Sequence, residues 1–191
     1  MRQRAIDPVV LPEGFVYRAG FIDSAEETEL IARVEELPFQ QIRMRGVVAR
    51  RTVVHFGWDY GYDGGTLRPS APIPPFLLHL RERCTEEAGL SFDGLQQALV
   101  TRYPAGAGIG WHRDAPMFGP VVAGVSLGAP ARFRLRRTVA GRLEVVEAVL
   151  EPRSLYLLSG AARSSWQHTI PAMKTLRYSI TFRQVRGQRS W

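Results

Sequence analysis

"LRYSITFRQV" occupies residues 176–185, and its alternation decides how the rest of the chain is read. In an extended strand successive side chains point to opposite faces. Arg177, Ser179, Thr181 and Arg183 then share one face, and Tyr178, Ile180 and Phe182 share the other. One face is polar and basic, its opposite apolar. An arginine turned into a barrel needs a carboxylate partner, because a buried unpaired charge is very costly. The competing reading is an edge strand with two solvated arginines, and the neighbouring sequence has to decide between them.

Working outward, the second half of the chain is a series of short β-like runs: "QALVTRY", "IGWHRD", "VVAGVSLG", "ARFRLRRT", "LEVVEAVL", "SLYLLS" and "WQHTI" precede the final one. Gly and Pro punctuate most of the gaps. Short strands at this spacing predict a β-sandwich or jelly roll, not a parallel α/β sheet. The first half reads differently. "FVYRAGFI" (15–22) predicts a short strand, and Ser24 with Glu27 forms an S-x-x-E capping box before Leu30, Ile31, Val34 and Leu37 at helical spacing. Residues 24–37 are therefore expected to be helical. "FQQIRMRGVVARRTVVHFGWDY" (39–60) predicts a pair of strands about Gly46, 57–75 a long loop, and 75–90 a helix entered through Pro75 and left near Gly89. The expected fold class is α+β, mainly β: a jelly-roll core over 96–191, with N-terminal helices and a hairpin over 1–95, in one compact unit.

Composition bounds the function. The 191 residues are 45% hydrophobic, the N-terminus lacks an apolar signal-peptide core, and no apolar run approaches bilayer length. A lone cysteine, Cys84, excludes an internal disulfide and is expected to be a small buried hydrophobe. These features predict a monomeric cytoplasmic protein with no membrane partner. The net charge of +7 fits a polyanion. All the basic residues except Lys174 are arginine, however, so a codon bias explains the excess as well.

"WHRD" (111–114) supplies a chemical candidate. His112 and Asp114, two apart, would share a strand face, with Trp111 and Arg113 on the other. Of the remaining histidines, His79 falls inside a helix and His168 sits on a late run that a jelly roll can bring alongside. Two imidazoles and one carboxylate leave three cis positions open and suit non-haem Fe(II), whereas a structural zinc site wants four ligands and cysteines. An H-x-D pair alone is a weak signal; H-x-D…H followed by the arginine strand is a stronger one.

"RYPAGAGIGWHRD", "VVAGVSLGAPARFRLRR", "LYLLSGAARSSWQHTI" and "RYSITFRQ" together resemble the AlkB family of Fe(II)/2-oxoglutarate dioxygenases, over about 96–186. The resemblance implies a double-stranded β-helix with Fe(II), 2-oxoglutarate and O2 as cofactors. It makes His112, Asp114 and His168 the catalytic iron ligands. Arg177 would grip the distal carboxylate of 2-oxoglutarate, Arg183 would sit nearer the iron, and Tyr103 and Ser179 would hydrogen-bond around the co-substrate. Thr101 and Ser179 stand where the best-known bacterial member has asparagine. Ala115 and Pro116 stand where the DNA-repair members carry a base-contacting acid.

The same resemblance places a nucleotide-recognition lid in the 39–60 hairpin. Arg50 and Arg51 would meet phosphates there, and His55, Trp58, Phe56 and Tyr60 would stack on an extruded base. The alternation of "FRLRR" adds Arg132, Arg134 and Arg136 as an exposed basic stripe. The implied activity is oxidative demethylation of N-alkylated bases in single-stranded DNA or RNA, with tRNA among the candidates. A tRNA-modification hydroxylase or protein hydroxylase is the enzymatic alternative, and a metal-free nucleic-acid-binding module the non-enzymatic one.

Overall fold

The computed structural model describes residues 11–44, 46–61 and 66–187. Strand β1 (Phe15–Arg18) is followed by helix α1 (Ser24–Glu35) and the strands β2 (Gln40–Met44), β3 (Val47–Phe56), β4 (Trp58–Tyr60) and β5 (Leu67–Pro69). Helix α2 (Pro75–Glu87) leads into β6 (Gln97–Tyr103), β7 (Ile109–His112), β8 (Phe118–Leu127), β9 (Ala131–Val139), β10 (Arg142–Leu150) and β11 (Leu155–Leu158). A one-turn helix α3 (Gly160–Ser164), β12 (Gln167–Ile170) and β13 (Arg177–Val185) complete the chain. Every strand predicted beyond residue 96 is present.

Two antiparallel sheets carry the architecture. The larger has seven strands in the order β1-β11-β8-β13-β6-β3-β2, and the smaller has four in the order β10-β9-β12-β7. Strand β13 lies inside the larger sheet, paired with β8 on one side and β6 on the other. The edge-strand reading of residues 176–185 is thereby excluded. Its apolar face packs Tyr178, Ile180 and Phe182 with Leu30 and Val34 of α1 and Leu77, Leu80 and Cys84 of α2. The opposite side of the sheet meets the smaller sheet around Tyr103, Val122, Phe133, Leu135, Tyr156 and Ile170. Helices cover one side of β13 and the second sheet covers the other. Cys84 is fully buried, and burial pushes its thiol up out of the reactive range.

Three local expectations shift. The N-cap of α1 is Asp23, not Ser24: its carboxylate accepts from the Ala25 and Glu26 amides at 2.9 and 2.8 Å. Glu27 instead reaches across the fold to accept from the Gly128 amide at 2.9 Å. The segment expected as a plain loop over 57–75 contains the two-stranded ribbon β4–β5, with Trp58 opposite Pro69. Gly57 makes the sharp entry to it, at φ +73°, where a Cβ would stand 2.2 Å from the Gln96 carbonyl oxygen. The β2–β3 pair turns at Gly46 as expected (φ +78°), and β3 continues the large sheet by pairing with β6.

Gly124 on β8 has a steric task. It lies between Tyr156 of β11 and Thr181 of β13, and a Cβ there would be 2.3 Å from the Tyr156 ring. Its bare backbone lets that tyrosine lie across the sheet against Phe133, whose centroid is 5.0 Å away. Gly124→Ala is expected to cost about 1–3 kcal/mol by overpacking, read as a lowered urea midpoint at unchanged m value. A midpoint equal to wild type would show that Tyr156 moves aside freely.

His55 on β3 has its side chain only 10% exposed, with Nδ1 3.4 Å from the Gln97 amide nitrogen and Nε2 3.7 Å from Asp59 Oδ1. Burial lowers its pKa to about 4; Asp59 opposes the shift and Arg183 adds to it. The unfolded state, titrating near 6.5, binds the proton first. The contribution is thus complete above pH 6.5 and is lost as pH falls toward 4. Between pH 7 and 5 the wild type should lose about 2 kcal/mol more than His55→Gln in urea unfolding. Parallel pH profiles for the two proteins would refute a neutral buried imidazole.

Candidate active site

A cavity of about 440 Å³ opens between the sheets. The larger sheet supplies Thr101, Tyr103, Ser179, Thr181 and Arg183; the smaller supplies Trp111, His112, Phe133 and His168. Ser179, Thr181 and Arg183 are from the polar face read from the alternation of β13, whereas Trp111 and Arg113, expected on the face opposite His112 and Asp114, line the same cavity. The register explains their meeting: Ser179 stands opposite Thr101 and Ser126, and His168 opposite His112.

The H-x-D pair comes together differently from the strand reading. Strand β7 ends at His112, so Asp114 is placed by the turn that follows, not by alternation. Arg163, on α3, holds that turn. Its Nη1 donates to the Asp114 carbonyl at 3.2 Å, and its Nη2 donates to the carbonyls of Ala115 and Phe118 at 3.2 and 3.3 Å. Sequence reading missed Arg163, because a five-residue helix has no periodicity to announce it.

The imidazoles of His112 and His168 pack edge to face with centroids 4.2 Å apart. His112 Nδ1 is 2.8 Å from the Gly110 carbonyl oxygen. A carbonyl can only accept, so Nδ1 carries the hydrogen and Nε2 keeps its lone pair. Burial lowers both pKa values, that of His168 to about 3 with His112 adding to the shift, so both rings are neutral at pH 7. Asp114 Oδ2 lies 3.6 Å from His168 Nε2, and Oδ1 lies 2.8 Å from Arg183 Nε. Burial pushes the Asp114 carboxyl up, but Arg183, with smaller help from the imidazoles and Arg163, outweighs it and keeps it ionised. Two neutral imidazoles and one ionised carboxylate are the protonation states that metal coordination requires. Among the described residues no three His, Cys, Asp or Glu form a ready-made ligand group, and the Asp114 carboxylate is engaged by Arg183.

Arg177 and Arg183 lie at opposite ends of this strand face. No irregularity interrupts the β13–β6 register between them, so about 20 Å of strand separates their Cα atoms. Arg183 is held by Asp114, by Gln97 Oε1 at 3.2 Å, and over the Phe118 ring at 4.7 Å. Arg177 is fully buried behind the cavity wall, 5.3 Å from the centroid of the Tyr103 ring. Its Nη2 donates to Ser126 Oγ at 2.8 Å, while Nε and Nη1 have no hydrogen-bond partner. Burial lowers its pKa, and Tyr103 and Tyr156 resist the shift. A buried guanidinium with two idle donors beside two phenols fits a carboxylate from outside the chain. Tyr156 itself, buried and raised to about 12, was not singled out in the sequence.

Of the four residues assigned to substrate, Arg51 lines the cavity, with Nη1 3.5 Å from the Gly108 carbonyl oxygen. Arg50 is exposed beside Gly106. His55 and Trp58 lie outside the cavity lining, and Phe56 is core. Tyr60, Tyr103, Trp111, Phe118, Phe133 and Tyr156 are the aromatics at its wall. The basic stripe on β9 is neutralised only in part. Glu147 takes Arg132 at 2.8 Å and Arg134 at 3.5 Å, and Arg136 bonds Gln167 and stacks 4.4 Å over Trp111.

The model of the 2OG-Fe(II) oxygenase superfamily matches residues 14–186. The alkylated DNA repair protein ALKBH8 homolog of Arabidopsis thaliana is 27% identical over 217 residues, covering 95% of this chain and 61% of that protein. The alpha-ketoglutarate-dependent dioxygenase alkB homolog 3 of Bos taurus is 28% identical over 185 residues, covering 87% of this chain and 64% of that protein. The chain thus spans a little over three-fifths of the length of these relatives. The solved structure of OsALKBH1 has the same fold, with a TM-score of 0.73 at 15% identity, covering 92% of this chain and 98% of that one. The chain belongs to the 2OG-Fe(II) oxygenase superfamily, whose enzymes take Fe(II) and 2-oxoglutarate, and its relatives there are AlkB homologues.

Proposed function

We infer that this oxygenase oxidatively demethylates N-alkylated bases in nucleic acid. The observation that carries the reading is the inner face of β13. It sets an idle buried guanidinium at one end and a carboxylate beside two neutral imidazoles at the other. In this reading His112 and His168, through Nε2, and Asp114 hold Fe(II). Arg177 with Tyr103 and Ser126 holds the distal carboxylate of 2-oxoglutarate, and Ser179 and Arg183 bound the space between. The metal, when bound, supplies reductive O2 activation coupled to decarboxylation of the keto acid.

The protein's own groups do the rest. Gly110 fixes the His112 tautomer, Arg163 fixes the turn that carries Asp114, and Phe133 and Tyr156 keep water from the inner cavity. One O2 and one 2-oxoglutarate give CO2 and succinate, and the second oxygen atom enters the N-methyl C–H bond. The resulting N-hydroxymethyl group breaks its C–N bond, returning the base N–H and releasing formaldehyde. At the mouth, Arg50 and Arg51 meet phosphate; of His55, Phe56, Trp58 and Tyr60, first given the stacking role, Tyr60 lines the cavity and keeps that role, and Trp111 joins it. The 39–60 hairpin is the lid of this arrangement. The net charge of +7 and the name of the Arabidopsis relative, a DNA repair protein, support a nucleic-acid substrate.

His112→Ala and Asp114→Ala should each lose Mn(II) binding measured by electron paramagnetic resonance, together with succinate release. Wild-type Mn(II) affinity in either variant would remove that residue from the ligand set. Arg177→Lys should raise the 2-oxoglutarate requirement at least about tenfold, equivalent to roughly 1.4 kcal/mol, because lysine lacks the fork. An unchanged requirement moves the anchor elsewhere. Arg51→Ala should lower the log–log salt slope of oligonucleotide binding by about one unit. If the wild type binds neither single strands nor tRNA at low salt, the substrate is a protein or small molecule.

A further inference from the structure

We propose that the substrate end of the cavity selects N-alkylated bases that remain uncharged, and discriminates against those that methylation turns into cations. The inference rests on the nucleic-acid reading above and deepens it. The ionised groups on the cavity wall are Arg51, Arg113, Arg183 and Asp114. Asp114 is taken by Arg183 at 2.8 Å. Arg51 and Arg113 are held only by backbone carbonyls, Gly108 at 3.5 Å and Ser164 at 3.1 Å. Arg163, just behind them, is likewise held by carbonyls. The two wall residues after Asp114 are Ala115 and Pro116, which carry no charge. Fe(II) and the 2-oxoglutarate dianion together add no net charge. Among the described residues, then, the wall offers an incoming base positive charge and no free carboxylate.

The consequence is both electrostatic and directional. A cation in a cavity of low effective dielectric beside two uncompensated guanidiniums is repelled far more than it would be in water. The wall also carries groups that donate and cannot accept: two guanidiniums and the Trp111 indole N–H. A lactam base alkylated on its ring nitrogen, such as 3-methyluracil, stays neutral and flanks that nitrogen with two carbonyl acceptors. 1-Methylguanine is neutral too, with one carbonyl and one amino group beside that nitrogen. 1-Methyladenine and 3-methylcytosine become cations, so charge opposes both; hydrogen-bond direction opposes 1-methyladenine alone, because 3-methylcytosine keeps one carbonyl beside its methyl group.

The test is competitive turnover of four single-stranded oligonucleotides of one sequence, each carrying one of these bases, with demethylation read by mass spectrometry. The reconstituted wild type is expected to favour the neutral pair over the cationic pair at least about tenfold in kcat/KM. Ala115→Glu, placing a carboxylate on the bare wall, should shift that ratio toward the cations by about tenfold or more. Equal or preferred turnover of the cations by the wild type overturns the charge inference while leaving the demethylase reading intact. An unmoved ratio in Ala115→Glu, with base turnover retained, also overturns it. Turnover of none of the four, with succinate still formed, overturns the nucleic-acid reading and this inference with it. Should Ala115→Glu fail to fold, Arg113→Gln, which removes one wall charge, is expected to move the ratio the same way, and an unmoved ratio there refutes the proposal.

Discussion

A strand that carries arginine into a dry interior at both ends must find an anion for each. Everything else around the cavity is arranged about that constraint. Arg183 meets it within the chain, through Asp114 at 2.8 Å. Arg177 does not: it is wholly buried, bonded to Ser126, and two of its nitrogens are idle. Removing a guanidinium from water costs several kcal/mol unless a partner returns it. In the proposed function, the dicarboxylate that enzymes of this superfamily take is the partner that would return this cost. Strand β13 can carry the burden because it is locked on both sides and packed from behind by Tyr178, Ile180 and Phe182.

The same logic separates the two halves of the cavity. The inner half is built from strand residues whose positions are fixed by ladder register, such as the facing pair His112 and His168. Asp114 belongs to a turn, and a turn keeps one geometry only if something external ties it. Arg163 is that tie, with three carbonyls in its grasp. A fixed carboxylate and a fixed tautomer of His112 are both products of residues that touch no ligand themselves. In the proposed function they set how far the three side chains would stray on binding a metal.

What the sequence disclosed follows the same division. Period-two alternation in "LRYSITFRQV" identified the face of β13 correctly, because alternation is a property of the single strand. Strand existence beyond residue 96 was legible for the same reason. The cap at Asp23, the ribbon β4–β5 and the tie at Arg163 were not, since each depends on a contact distant in sequence or on a turn too short to show a period. The task of Gly124 was hidden too. A glycine in a strand signals a close approach, but the residue that approaches is visible only across the sheet. His55 shows the opposite error: an aromatic after two arginines suggested stacking, and packing instead turned it to Gln97 and Asp59.

Net charge was a poor guide to where a polyanion or a base would meet this protein, and the reason is local. On β9 four arginines face Glu144 and Glu147 across the β9–β10 ladder, so part of a conspicuous basic stripe is cancelled by its neighbouring strand. At the cavity mouth Arg51 and Arg113 are only two, but carbonyls hold them and, among the described residues, no carboxylate pairs with either. A carbonyl satisfies an N–H without removing its charge, whereas a carboxylate does both. Two uncancelled charges beside a low-dielectric cavity therefore weigh more in recognition than a larger number paired on a solvated sheet. It is the partner of each arginine, more than the count of arginines, that decides what the site will admit.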